Sequence, residues 1–318
     1  MIRIGYPCIN LSLKCRPGRT FRISSFNEKI FLEKAENNLK CLSEIIDFNI
    51  KNEIYFFRIS SDIIPFASHP INKIKWEIIF KDLFREIGEK IKKNKIRVSM
   101  HPDQFVILNS PDKDVVKRSV DELIYHLKFL ENLNTSFDAK IQIHIGGGYK
   151  DKKSSIERFL KNYEKLPLSL KERLVVENDE RIYNLKDCLN LHEKAGIPIV
   201  ADYLHHRLNN NGERFSEILK DVIKTWKIKD GPPIVDYSSL KLSGRKGSHA
   251  EKIDLKDFYS FLKEVLKVTS CIDIMLEIKD KEKSALKAIN FIKNKNIQLP
   301  NLHPRGGNKI LKSNIKTN

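Results

Sequence analysis

Eight acids and histidines fall at comparable places in this chain, each where a short apolar run stops. They are His101 after IRVSM, His144 in IQIHI, Glu177 after LVV, Asp202 after IPIVA with His205 just beyond, Asp236 in PPIVD with His249 following, and Glu277 after IDIML. Imidazole and carboxylate without thiolate suit Mn²⁺ or Zn²⁺, and eight such groups exceed what one ion coordinates, so two or three divalent ions are expected. Taken singly, each residue has a duller reading: His144 as a hydrogen-bonded core histidine, Asp202 as a helix cap. Taken together they require a cation, because converging carboxylates without one repel each other and resist ionisation. Ions about 3.5–4 Å apart activate water and stabilise both oxygens of an in-line displacement at phosphorus, so phosphodiester hydrolysis is the chemistry expected.

Residues so far apart meet only if the fold gathers the ends of many strands. Eight runs read as strands: Arg3–Cys8, Ile54–Ser60, Ile96–His101, Lys140–Ile145, Leu174–Asn178, Ile197–Asp202, Pro233–Ser238 and Ile272–Ile278. Helical patterns separate them. Ser110 is the expected cap of one helix with Pro111 in its first turn, and Val116, Val120, Leu123, Leu127 and Leu130 form its apolar stripe. Asn184 with Asp187 and Asp254 with Asp257 mark two further starts, and Gly196 a stop. Strands alternating with helices pair in parallel, and eight continuously apolar strands predict a closed (β/α)₈ TIM barrel, an α/β fold with its active site at the C-terminal strand ends. Neither a G-x-G-x-x-G nor a P-loop is present.

Lysine and arginine number 58 against 41 acids, a formal net charge of +17 over 318 residues. Such an excess attracts a polyanion, and nucleic acid is the expected partner. Five cysteines (Cys8, Cys15, Cys41, Cys188, Cys271) without a C-x-x-C pair argue against a disulfide framework and for a reducing cytoplasmic setting. No run is long and apolar enough for a signal peptide or a membrane span. One barrel domain is expected over residues 1–298, followed by a basic, unpatterned tail over 299–318.

The residues match a known family. RIGYPCINLSL (3–13), FRISSDIIPFASHP (57–70), RVSMHPDQFV (97–106), IHIGGGY (143–149), VENDER (176–181), DYLHHRLN (202–209), GSHAEKID (247–254) and IMLEIKDKEKSAL (274–286) resemble the ultraviolet DNA damage endonucleases, relatives of the xylose isomerase/endonuclease IV-like barrels. The resemblance implies a monomeric DNA-repair enzyme that nicks duplex DNA 5′ of cyclobutane dimers, (6-4) photoproducts and sometimes abasic sites. It also implies a three-metal site usually filled by manganese, mapped to His101, His144, Glu177, Asp202, His205, His249 and Glu277. Strand seven departs from the pattern: members often carry Lys-x-His where this chain has Ile234-Val235-Asp236, leaving Asp236 as the expected ligand there.

By the same resemblance Gln104 and Phe105 probe the damaged duplex, Phe105 as a wedge that fills the gap left by unstacked bases. Tyr6 and Asn10 are expected to line the lesion pocket, and Glu177, His69 and Tyr6 to act closest to the reacting phosphate. Lys14, Arg16, Arg19, Arg207, Arg245 and Lys246 are expected phosphate contacts, each weak alone because solvated surface charge is common. His126, His192 and His303 receive no role, and His206 only neighbours His205. Three rivals stay open at this point: an abasic-site endonuclease, a metal-dependent sugar isomerase, and a non-catalytic nucleic-acid binder.

Overall fold

The computed structural model describes residues 2–240 and 247–295. All eight apolar runs form strands: β1 (Ile2–Cys8), β2 (Phe56–Ile59), β3 (Arg97–Met100), β4 (Lys140–His144), β5 (Leu174–Glu177), β6 (Ile199–Asp202), β7 (Ile234–Tyr237) and β8 (Ile272–Leu276). They pair in parallel in chain order and close by β1 meeting β8, with Ile2 opposite Ile272. Apart from β1, which begins one residue earlier, the strands are shorter than the apolar runs, because the flanking residues already turn into loops. His101 and Glu277 therefore stand one residue beyond β3 and β8.

The two-residue period of a strand sorts side chains into layers along the barrel axis. Phe56, Val175, Val200, Ile234 and Met275 form a small apolar plug inside the barrel, with Trp226 against it. The alternate residues (Phe57, Val176, Ile199, Val235, Ile274) join a larger core shared with the helices. On β4 the inward face reads Lys140, Gln142, His144, so polarity changes along a single strand within five residues.

Helix starts follow local chemistry. Asn184 and Asp187 form the expected capping box, Gly196 closes that helix at φ +68°, and Asp254 accepts from the N–H groups of Lys256 and Asp257. Ser110 is not the cap of its helix. Asp112 holds that place, accepting from Asp114 and Val115 ahead of Lys113–Asn132, while Ser110 Oγ accepts from Asp112 N–H one step earlier. A carboxylate two residues nearer the helix takes the orphan amides first. Leu123, Leu127 and Leu130 are buried along this helix, as its stripe requires.

The cysteines need a second correction. Cys15 and Cys41 are joined by a disulfide, because the loop after β1 folds over the helix Glu28–Lys51 and brings their Cα atoms to 5.6 Å. Their 26-residue separation carries no motif, and the redox setting inferred from cysteine usage loses its support. No helix among the described residues is long and apolar enough to cross a membrane. The segment 299–318 lies outside the described residues.

Candidate metal centre

The C-terminal strand ends bring most of the expected ligands to one rim. Ligand atoms of His101, His144 and Glu177 lie within 4.8 Å of one another, as do those of Glu177, Asp202 and His205, and those of Asp202, Asp236 and Glu277. Glu177 and Asp202 belong to two groups each, so the three groups are one connected cluster. His249, in the loop after β7, places Nε2 3.3 Å from Glu277 Oε2 and completes the set of eight. Gly146 lets the chain turn away directly after His144: it adopts φ +109°, and a Cβ there would meet Asn109 Oδ1 at 2.4 Å.

Glu177 is the hub. It is 2% exposed, its Oε2 lies 3.2 Å from His101 Nε2 and 3.5 Å from His144 Nε2, and its Oε1 lies 3.0 Å from His205 Nδ1. Burial would raise its pKa, but His144, His101 and His205 hold it well below the carboxylate range. Burial pushes Asp202 well up and carries Asp236 to about 8, against the pull of Arg58. For His205 burial works downward, yet Asp202 and Glu177 outweigh it and lift the imidazole to about 11. Glu277 goes the other way, drawn down to about 2 by Arg58 and His249 despite burial.

The fit to divalent ions shows in what this cluster leaves unpaired. Among the described residues Asp202 Oδ2 and His144 Nδ1 are buried without a hydrogen-bond partner. A buried carboxylate oxygen left so is costly unless a cation takes it. The donor set is oxygen and imidazole nitrogen throughout, as Mn²⁺ or Zn²⁺ prefers.

Other expected residues fare differently. Gln104 and Phe105 stand exposed on the loop after β3, with Phe105 at 76% and unsheltered by the core. Beside them opens a cavity of about 600 Å³, lined in part by Asp62, Phe66, Arg118 and Glu122. Tyr6 and Asn10 are fully buried. The Tyr6 hydroxyl donates to Asn49 Oδ1 and accepts from Asn10 Nδ2, which fixes the loop after β1 against the first long helix. His69 is exposed, turned back so that Nδ1 accepts from Ile71 N–H, and belongs to none of the three metal groups. Arg207 pairs with Asp257 at 2.7 Å over the Tyr203 ring, and Arg16 is spent on the carbonyls of Asn10, Leu13 and Cys15. Lys14 and Arg19 are exposed, whereas Arg245 and Lys246 lie outside the described residues.

Two residues at this site escape a reading of strand ends. Arg58 and Gln142, one step below the rim on β2 and β4, bind Asp236, and Gln142 also donates to Glu177. A charged or amide side chain inside an otherwise apolar strand was their only signal.

The chain matches the UV-endonuclease UvdE family over residues 2–302. It is 44% identical to the UV DNA damage endonuclease of Clostridium perfringens over 294 residues, 92% of this chain and 71% of that one. The solved structure of SacUVDE superposes with a TM-score of 0.89 at 42% identity, covering 94% of this chain and 100% of that one. Endonuclease IV from Thermus thermophilus, at 17% identity and a TM-score of 0.56 over 80% and 94% of the two chains, shares the fold. With its barrel, its cluster of ligands and a family match spanning nearly its whole length, this chain belongs to the UV-endonuclease UvdE family.

Proposed function

We propose that this chain is a metal-dependent DNA-repair endonuclease that nicks the damaged strand immediately 5′ of ultraviolet photoproducts, leaving 3′-hydroxyl and 5′-phosphate ends. The observation that carries the reading is the rim of four carboxylates and four imidazoles on a barrel of a UV-endonuclease family. Cyclobutane dimers and (6-4) photoproducts are the expected substrates, with abasic sites as a further one.

His101, His144, Glu177, Asp202 and His205 would hold the ions, manganese before zinc, with His249 and Glu277 beside them on the same rim. When bound, divalent ions lower the pKa of water and stabilise charge on phosphoryl oxygens. The chain's own residues supply position. Glu177, held ionised by three imidazoles, keeps two groups of ligands in register. Phe105 has no hydroxyl and little packing to lose, so it can enter the stack where a lesion has weakened pairing, with Gln104 beside it. The excess positive charge, Lys14 and Arg19 included, brings the duplex to the rim.

An irradiated duplex oligonucleotide with one defined dimer, incubated with the purified chain and Mn²⁺, should be cut at the bond 5′ of the dimer and left intact with EDTA. Equal cutting of the unirradiated duplex would refute lesion recognition, and cutting only at abasic sites would reassign the substrate.

A further inference from the structure

One cation inside the barrel is already built into the chain. Arg58 is 2% exposed, and its Nη2 donates to Asp236 Oδ1 at 3.0 Å, to Asp236 Oδ2 at 2.8 Å and to Gln142 Oε1 at 2.9 Å, while its Nη1 donates to Glu277 Oε1. Gln142 Nε2 donates in turn to Asp236 Oδ2 and to Glu177 Oε2, both at 2.6 Å. Both oxygens of Asp236 are thus engaged from within the barrel by donors on β2 and β4. The same Asp236, with Asp202 and Glu277, forms the third group able to hold an ion. An ion seated there would compete with the guanidinium for the oxygens of Asp236 and Glu277.

We propose that Arg58 is the third cation of this centre. Two divalent ions, in the His101–His144–Glu177 and Glu177–Asp202–His205 groups, complete it, and Asp236 is the anchor of Arg58 rather than a metal ligand. The charges balance on this account: four carboxylates against one guanidinium and two divalent ions leave a single positive charge, which one phosphodiester neutralises. A third ion would leave three. Arg58 is then a positioning residue, since it holds Glu277 directly and Glu177 through Gln142. The inference rests on the metal-dependent reading above and narrows it.

Counting manganese in the loaded, desalted protein by mass spectrometry tests this without any nicking assay. The chain should carry two ions, and Asp236→Asn should still carry two. Arg58→Met frees the corner and should carry three. A count of three in the unaltered chain, or loss of an ion in Asp236→Asn, overturns the proposal, as does a folded Arg58→Met with only two. If Arg58→Met fails to fold, the first two counts decide. A count of none in the unaltered chain would remove the metal reading itself, whereas a count of three removes this inference alone.

Discussion

The two ends of the barrel hold similar numbers of buried charges and treat them in opposite ways. At the N-terminal end Arg3, Arg97 and Lys140 each have a carboxylate partner. Arg97 lies between Asp273 at 2.6 Å and the carbonyls of Asp138, Asp230 and Pro232, with its guanidinium over the Phe56 and Trp226 rings. Arg3 shares Asp273, and Lys140 pairs with Asp230 at 2.5 Å and the Glu172 carbonyl. At the C-terminal end carboxylates outnumber cationic side chains, and Asp202 Oδ2 and His144 Nδ1 have no partner among the described residues. One end is a finished network that stabilises the fold. The other leaves buried polar atoms unpaired, and on the proposed reading divalent ions complete it.

Substitutions at the two ends should therefore fail in different ways. Glu177→Ala removes the residue common to two ligand groups, so both ions should be lost and the nicking rate should fall by about 10³-fold or more. Its ion-free form should unfold at a lower temperature than the ion-free parent, because three imidazoles and Gln142 lose the carboxylate they pair with. A Glu177→Ala protein that keeps its manganese would break the comparison. Arg97→Met leaves Asp273 buried with less compensation and should cost roughly 3–5 kcal/mol in urea unfolding, with the manganese count unaltered; a cost below about 1 kcal/mol would show that the basal network is ornamental.

Phe105→Ala, on an exposed loop, should leave stability unchanged and lower the preference for irradiated over intact duplex by roughly tenfold, the worth of one stacked base. Unchanged preference in a competition assay would make Phe105 a bystander. The smallest effect is a proton. An ion bound at His205 needs the neutral ring, yet Asp202 and Glu177 hold it protonated up to about 11. Manganese binding near neutral pH should release that proton, so affinity should keep rising with pH toward about 11 and the binding heat should vary with the ionisation enthalpy of the buffer. A heat independent of buffer would place the ions elsewhere.

The barrel and most of its rim were legible in the residues because parallel strands buried on both faces are continuous apolar runs, and the catalytic ends are where those runs stop. What hid was whatever depends on contacts across the barrel. Arg58 finds Asp236 178 positions away, and nothing local to FFRIS says which carboxylate it faces. Tyr6 and Asn10 sit in a motif shared with the family, but whether they meet solvent is decided by Asn49 on a helix that packs over them. Asp112 outcompeted Ser110 for the helix start because both are good caps and only geometry chooses. Cys15 and Cys41 were paired by the path of one loop.

The most direct test of an ion-completed upper end and a self-sufficient lower end is an anomalous difference map, recorded at the manganese edge from crystals soaked in Mn²⁺. Peaks should lie within coordination distance of His101, His144 and Glu177 and of Glu177, Asp202 and His205, with none near Arg97, Lys140 or Asp273. A map empty at the rim, or with its strongest peak at the basal end, would contradict the account.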